Sequence, residues 1–182
     1  MIAESAPFHS AHSALSWAHG IAGLGVYERP ITSRKEEHER APMRTPRFPG
    51  LSPIEKHAQA AWIMRAAERC ESLTPTERDL VAACFLVPNS PALEAAKKQA
   101  IEKVALQVAG YYSYGRAFVE DTVRRFVGEP HQSNAEWATN LGKSKRAVRD
   151  TRQPIMARLR KTMVSALEKL DGAMAERGYV AA

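Results

Sequence analysis

Residues 133–153 read SNAEWATNLGKSKRAVRDTRQ. Ser133, with Glu136 three positions on, forms a capping box, so a helix starts there. Ala138, Gly142 and Val148 follow at spacings of four and six. Two helices that cross at a tight turn need this pattern. A small residue lets the second helix approach, a glycine takes the left-handed turn conformation without a Cβ penalty, and an apolar residue fills the gap between the helices. Trp137 and Leu141 flank Ala138 on the inner face. Ser144 is placed to cap the second helix, whose outward positions are Lys145, Arg146, Arg149, Asp150 and Gln153. The stretch predicts a helix-turn-helix.

The charge of the chain converges on the same place. The 182 residues carry 26 Lys and Arg against 20 Asp and Glu, a formal net charge of +6. Eight of those cations lie between 143 and 161: Lys143, Lys145, Arg146, Arg149, Arg152, Arg158, Arg160 and Lys161. Asp150 is the one acid there, so the window carries +7 and the rest of the chain −1. A concentrated field of this kind attracts a polyanion. A basic run by itself reads as a solvated helix face; on the second helix of a helix-turn-helix it reads as a surface for double-stranded DNA. Arginine can pair with guanine and glutamine with adenine, which gives Arg146, Arg149 and Gln153 reading roles beside Lys145. Lys143, Arg152, Arg158 and Lys161 suit phosphate contacts, with Ser144 at the turn.

LGKSKRAVRD resembles the helix-turn-helix of the promoter-reading C-terminal domain of sigma factors and of related phage regulators. ERDLVAACF, about fifty residues earlier, is similar to the helix that opens that domain. A compact helical chain ending in this way resembles the Q type of phage late-gene antitermination proteins, and HSAHSALSWAHG looks like the start of uncharacterised prophage proteins. The close resemblance covers about residues 130–172. It implies binding to a DNA element near a late promoter, loading onto RNA polymerase, and DNA contacts from Lys145, Arg146 and Arg149. Two positions depart from the family pattern: Lys143 stands where an apolar residue is usual, and so does Thr151. Pro154 predicts that the recognition helix ends near Gln153 and that a new helix starts at the proline, the alternative being one kinked helix.

The remainder reads as an all-α chain in three parts. Residues 1–50 hold a short helix over about 9–22 and a proline-rich arm or linker. Residues 51–128 form a helical scaffold, and residues 129–182 the helix-turn-helix with a C-terminal helix. Ser52-Pro53-Ile54-Glu55 and Thr74-Pro75-Thr76-Glu77 are capping boxes with proline at the first helical position. The first opens a helix to about Cys70 with Ile54, Ala58, Ala61, Trp62 and Ala66 on one face. The second opens a helix stopped by Pro88, and Ser90-Pro91 a third to about Ala109. A further helix covers about 116–127. Ile155, Leu159, Thr162, Met163, Ala166, Leu167 and Leu170 form an apolar stripe, read first as core closure and second as the seam of a homodimer.

Other chemistry finds little footing. Cys70 and Cys84, placed on separate helices, read as buried thiols, and His9, His12 and His19 as solvated or core-capping residues. Glu120-Asp121 reads as structural, and Tyr111, Tyr112 and Tyr114 as packing. No phosphate-cradling loop or nucleophile motif is present, so no enzyme, cofactor or metal is expected. No apolar run approaches the ~18 residues of a membrane span, and two thiols without a disulfide framework point to a reducing, intracellular setting, which the phage resemblance makes the cytoplasm of a bacterial host. The functional expectation is a sequence-specific DNA-binding transcription regulator of phage type. The alternatives are a DNA-recognition module for packaging or replication, and a helical adaptor that binds no DNA.

Overall fold

The computed structural model describes residues 8–23, 52–109 and 114–180. The fold is all-α. Among the described residues are seven helices: α1 (Ala11–Gly23), α2 (Pro53–Glu68), α3 (Pro75–Phe85), α4 (Pro91–Ala109), α5 (Gly115–Phe126), α6 (Asn134–Leu141) and α7 (Lys145–Ala175). The one extended pairing among them is an isolated parallel bridge between Phe8 and Val180. The proline-rich arm and Tyr111 and Tyr112 lie outside the described residues.

Helix starts follow local chemistry. Ser52, Thr74 and Ser133 each accept from the amide three residues on, and Glu55, Glu77 and Glu136 reach back to the cap amides. Each box satisfies two amides that the first helical turn leaves without partners. The Ser90 hydroxyl accepts from the Leu93 amide at 3.3 Å and opens α4.

The chain divides into two compact units, Met1–Arg69 with Leu170–Ala182, and Cys70–Lys169. Ala138, Val148, Ile155 and Leu159 belong to one core with Leu80, Val104, Phe118 and Val123, so no linker separates the turn region from the helices before it.

In the first unit α1 packs on α2. Ala11, Ala14, Leu15 and Ala18 are buried along α1. The Asp171 carboxylate accepts from the Ala11 amide and caps α1 from a distant part of the sequence. The inner face of α2 is Ala60, Ile63, Ala66 and Ala67. This corrects the expected face: Ile54 is 70% exposed and Trp62 58%, and of the expected stripe Ala66 alone is buried. Alanines occur all round α2, so they leave the two phases nearly tied, and the face that carries Ile63 is the one buried.

In the second unit α4 packs against α3 and α5. Glu77 joins the start of α3 to α7. Besides closing its capping box, its carboxylate accepts from Lys169 Nζ at 2.7 and 2.8 Å and from Ser165 Oγ at 2.7 Å. Burial pushes its pKa up, but Lys169, the Thr74 amide, Ser165 and the Thr74 hydroxyl outweigh that and hold it at about 2. Cys84 is half-buried on α3, where desolvation raises its thiol to about 12 against the opposing field of Lys97. Cys70 is buried just past α2 rather than on a helix.

α7 corrects the expectation of a break at Gln153. It runs unbroken from Lys145 to Ala175 with Pro154 inside. Pro154 is exposed, while Val148, Arg152, Ile155 and Leu159 are buried on both sides of it. The missing hydrogen bond therefore faces water, and anchors before and after the proline hold the helix together. The C-terminal stripe is used within the chain. Ile155, Leu159, Ala166 and Leu170 are buried, and Thr162, Met163 and Leu167 are half-buried. That is the use the first reading of the stripe gave it, closure of the core.

Candidate nucleic-acid interface

The turn between α6 and α7 is closed by backbone geometry. Gly142 has φ 61° and ψ 33°, in the left-handed region. The Lys143 amide donates to the Ala138 carbonyl at 2.9 Å and the Gly142 amide to Thr139 at 3.3 Å. This pair is the Schellman arrangement, which satisfies carbonyls at the end of α6. Ser144 then starts α7 by accepting from the Ala147 amide at 3.1 Å. Ala138 is 7% exposed and Val148 fully buried, as the small and apolar positions of the spacing require.

A polar knot fixes the turn from beneath, and its center is Asp121 on α5. One carboxylate oxygen accepts from Arg152 Nη2 and from the Trp137 indole N–H, both at 2.7 Å. The other accepts from the Gln132 amide at 2.7 Å. Arg152 spends its remaining donors on Asn134 Oδ1 (2.6 Å), the Gln132 carbonyl (3.4 Å) and Thr122 Oγ1 (3.3 Å). Its guanidinium carbon lies 5.2 Å from the centroid of the Phe118 ring. Trp137 meets the same ring edge-on, with centroids 5.2 Å apart. A buried charge is tolerated only when paired and hydrogen-bonded, and this one is. Burial lowers the Arg152 pKa, Asp121 opposes the shift, and Arg125 adds to it.

Arg152 is therefore removed from the predicted DNA contacts. It is 3% exposed and its charge is neutralized by Asp121. The sequence carried no sign of this, because the partner lies 31 positions away.

The other predicted positions are exposed: Lys143, Ser144, Lys145, Arg146, Arg149, Gln153, Arg158 and Lys161. Asp150 sits among them, 3.7 Å from Arg146 and 3.4 Å from Arg149. Such exposed pairs are weak and break readily for a better partner. With Arg160, seven cations of the window are exposed against that one acid. The departures at Lys143 and Thr151 have local explanations. Lys143 is exposed at the turn, and the half-buried Thr151 donates its hydroxyl to the Ala147 carbonyl at 3.0 Å.

Sequence reasoning missed Arg125. A groove of about 470 Å³ runs beside α7, lined in part by Arg125, Arg149, Gln153, Met156, Ala157 and Arg160. Arg125 comes from α5, and no local pattern associates it with the basic window. Among the described residues no group of three or more His, Cys, Asp or Glu could hold a metal ion, and no helix is long and apolar enough to cross a membrane.

Compared with known proteins, the chain matches no family model and no curated protein sequence.

Proposed function

We propose that the chain is a sequence-specific DNA-binding transcription regulator of the phage type. The observation that carries this reading is the run of exposed cations on the turn and on α7, with Asp150 as its one acid, at the start of a helix anchored by Val148 and the Arg152–Asp121 pair. In this reading α7 enters the major groove from its N-terminal end. Arg146, Arg149 and Gln153 face base edges beside Lys145. Lys143, Arg158 and Lys161 hold phosphates, and Arg125 and Arg160 extend that track. The protein acts by display and uses no cofactor.

The test is binding to duplex DNA as a function of salt. Several phosphate contacts give a log–log slope on the order of −4 or steeper. Absence of binding at low salt overturns the reading in favor of an adaptor. The finer form of the proposal is an antiterminator that engages bacterial RNA polymerase. Run-off transcription past a terminator tests it: read-through that depends on the protein supports it, and DNA binding without read-through favors a packaging or replication role.

A further inference from the structure

Trp62 is the one tryptophan that faces solvent among the described residues, 58% exposed against 4% for Trp17, with Trp137 half-buried. It stands on the outer face of α2 with Arg65 and Arg69, one and two helical turns on. Arg177 and Tyr179, on either side of the left-handed Gly178 (φ 73°), complete a groove of about 460 Å³ whose floor is Ala66. Three guanidinium groups line it and no carboxylate does. None of the three has an ion pair among the described residues.

A large indole left in water forgoes the gain of burial, and three unpaired cations around it repel one another. Both features make sense if a ligand supplies a planar ring and negative charge together. We propose that this groove binds single-stranded nucleic acid, with a base stacked on Trp62 and backbone phosphates held by Arg65, Arg69 and Arg177. Duplex DNA keeps its bases stacked inside and offers the indole nothing. An acidic peptide satisfies the arginines but has no general use for a flat aromatic face. Stacking platforms combined with a basic groove are how single strands are held without sequence preference. The site lies entirely in the first unit, so it stands whether or not α7 binds a duplex.

The experiment titrates the full chain with a fluorescently labelled oligothymidylate at low salt, following anisotropy for affinity and intrinsic tryptophan fluorescence for contact. The expected result is binding with quenching, and a log–log salt slope of about −2 for three phosphates on a single strand. Trp62→Ala should weaken the oligothymidylate by roughly 5- to 150-fold, while Trp62→Phe retains most of the affinity. Arg65→Ala with Arg69→Ala should flatten the salt slope. Both tryptophan variants should melt as the parent does, because the side chain is outside the core. Arg149→Ala should leave the oligothymidylate unaffected, and Trp62→Ala should leave duplex binding unaffected, which separates this site from the one on α7. Binding without quenching, unchanged affinity in Trp62→Ala, or equal competition by polyglutamate would overturn the proposal.

Discussion

The Arg152 guanidinium meets the Asp121 carboxylate at 2.7 Å, and the same oxygen accepts the Trp137 indole N–H at 2.7 Å. One carboxylate on α5 thus holds both helices of the turn, α6 through its tryptophan and α7 through its arginine. Asp121→Ala leaves a buried cation and an indole N–H unpaired. The expected loss is about 3–5 kcal/mol, read as a lower urea midpoint. Adding Arg152→Met to that variant should recover part of the loss, because the unpaired charge is then gone.

Gly142 supports a second prediction. A Cβ placed there meets nothing within 4 Å, so the cost of substitution is backbone strain at φ 61° alone. Gly142→Ala should lose about 1–2 kcal/mol, Gly142→Val more, and Gly142→Asn less. Chemical denaturation with an unchanged m-value checks this ordering.

Arg149 and Arg152 are both arginines of the basic window, yet they should fail differently. Arg149→Ala should keep the melting temperature and lower affinity for the specific duplex by ~1–3 kcal/mol. Arg152→Ala should lower the melting temperature first. Paired thermal melts and anisotropy titrations distinguish the two, and an Arg149→Ala variant with unchanged specific affinity would refute the assignment of the reading helix.

Glu77 predicts a dependence on acid. Its carboxyl sits at about 2 when folded, against an ordinary value of 4.5. A depressed carboxylate contributes stability that is complete above the unfolded value and disappears as pH falls through the folded one. The contribution should therefore hold above pH 4.5 and drain between there and pH 2, by ~3 kcal/mol in all. Glu77→Gln should flatten the stability–pH curve in that interval.

Pro154→Ala should stabilize the chain. The substitution restores an amide on the exposed side of a helix that is already continuous, and the gain is bounded by the ~3 kcal/mol cost of an interior proline. Native-state hydrogen exchange should show tighter protection around Asp150.

Much of the helical order was legible because its signals are local. Ser52, Thr74 and Ser133 announce helix starts within four residues, and Ala138, Gly142 and Val148 occupy the buried and left-handed positions that their spacing implies. What escaped depends on distant partners or near-degenerate patterns. Arg152 looks like any other cation of its window until Asp121 is seen beside it. By sequence Trp62 shares a face with Ile54, Ala58, Ala61 and Ala66, and alanine marks neither inside nor outside. Pro154 signalled a break that anchors on the opposite face prevent.

Phe8 pairs with Val180, and the start of α1 is capped by Asp171, 160 positions after Ala11. On the ribosome, the earliest of these residues must wait for nearly the whole of this sequence to be polymerized before their counterparts exist. Closure across such a span is slow, so the start of α1 lacks its cap and Phe8 its bridge partner meanwhile, even with α2 already packed on the helix. Nascent chains stalled short of Asp171 should therefore be protease-sensitive at the start of α1, around Phe8 and Ala11.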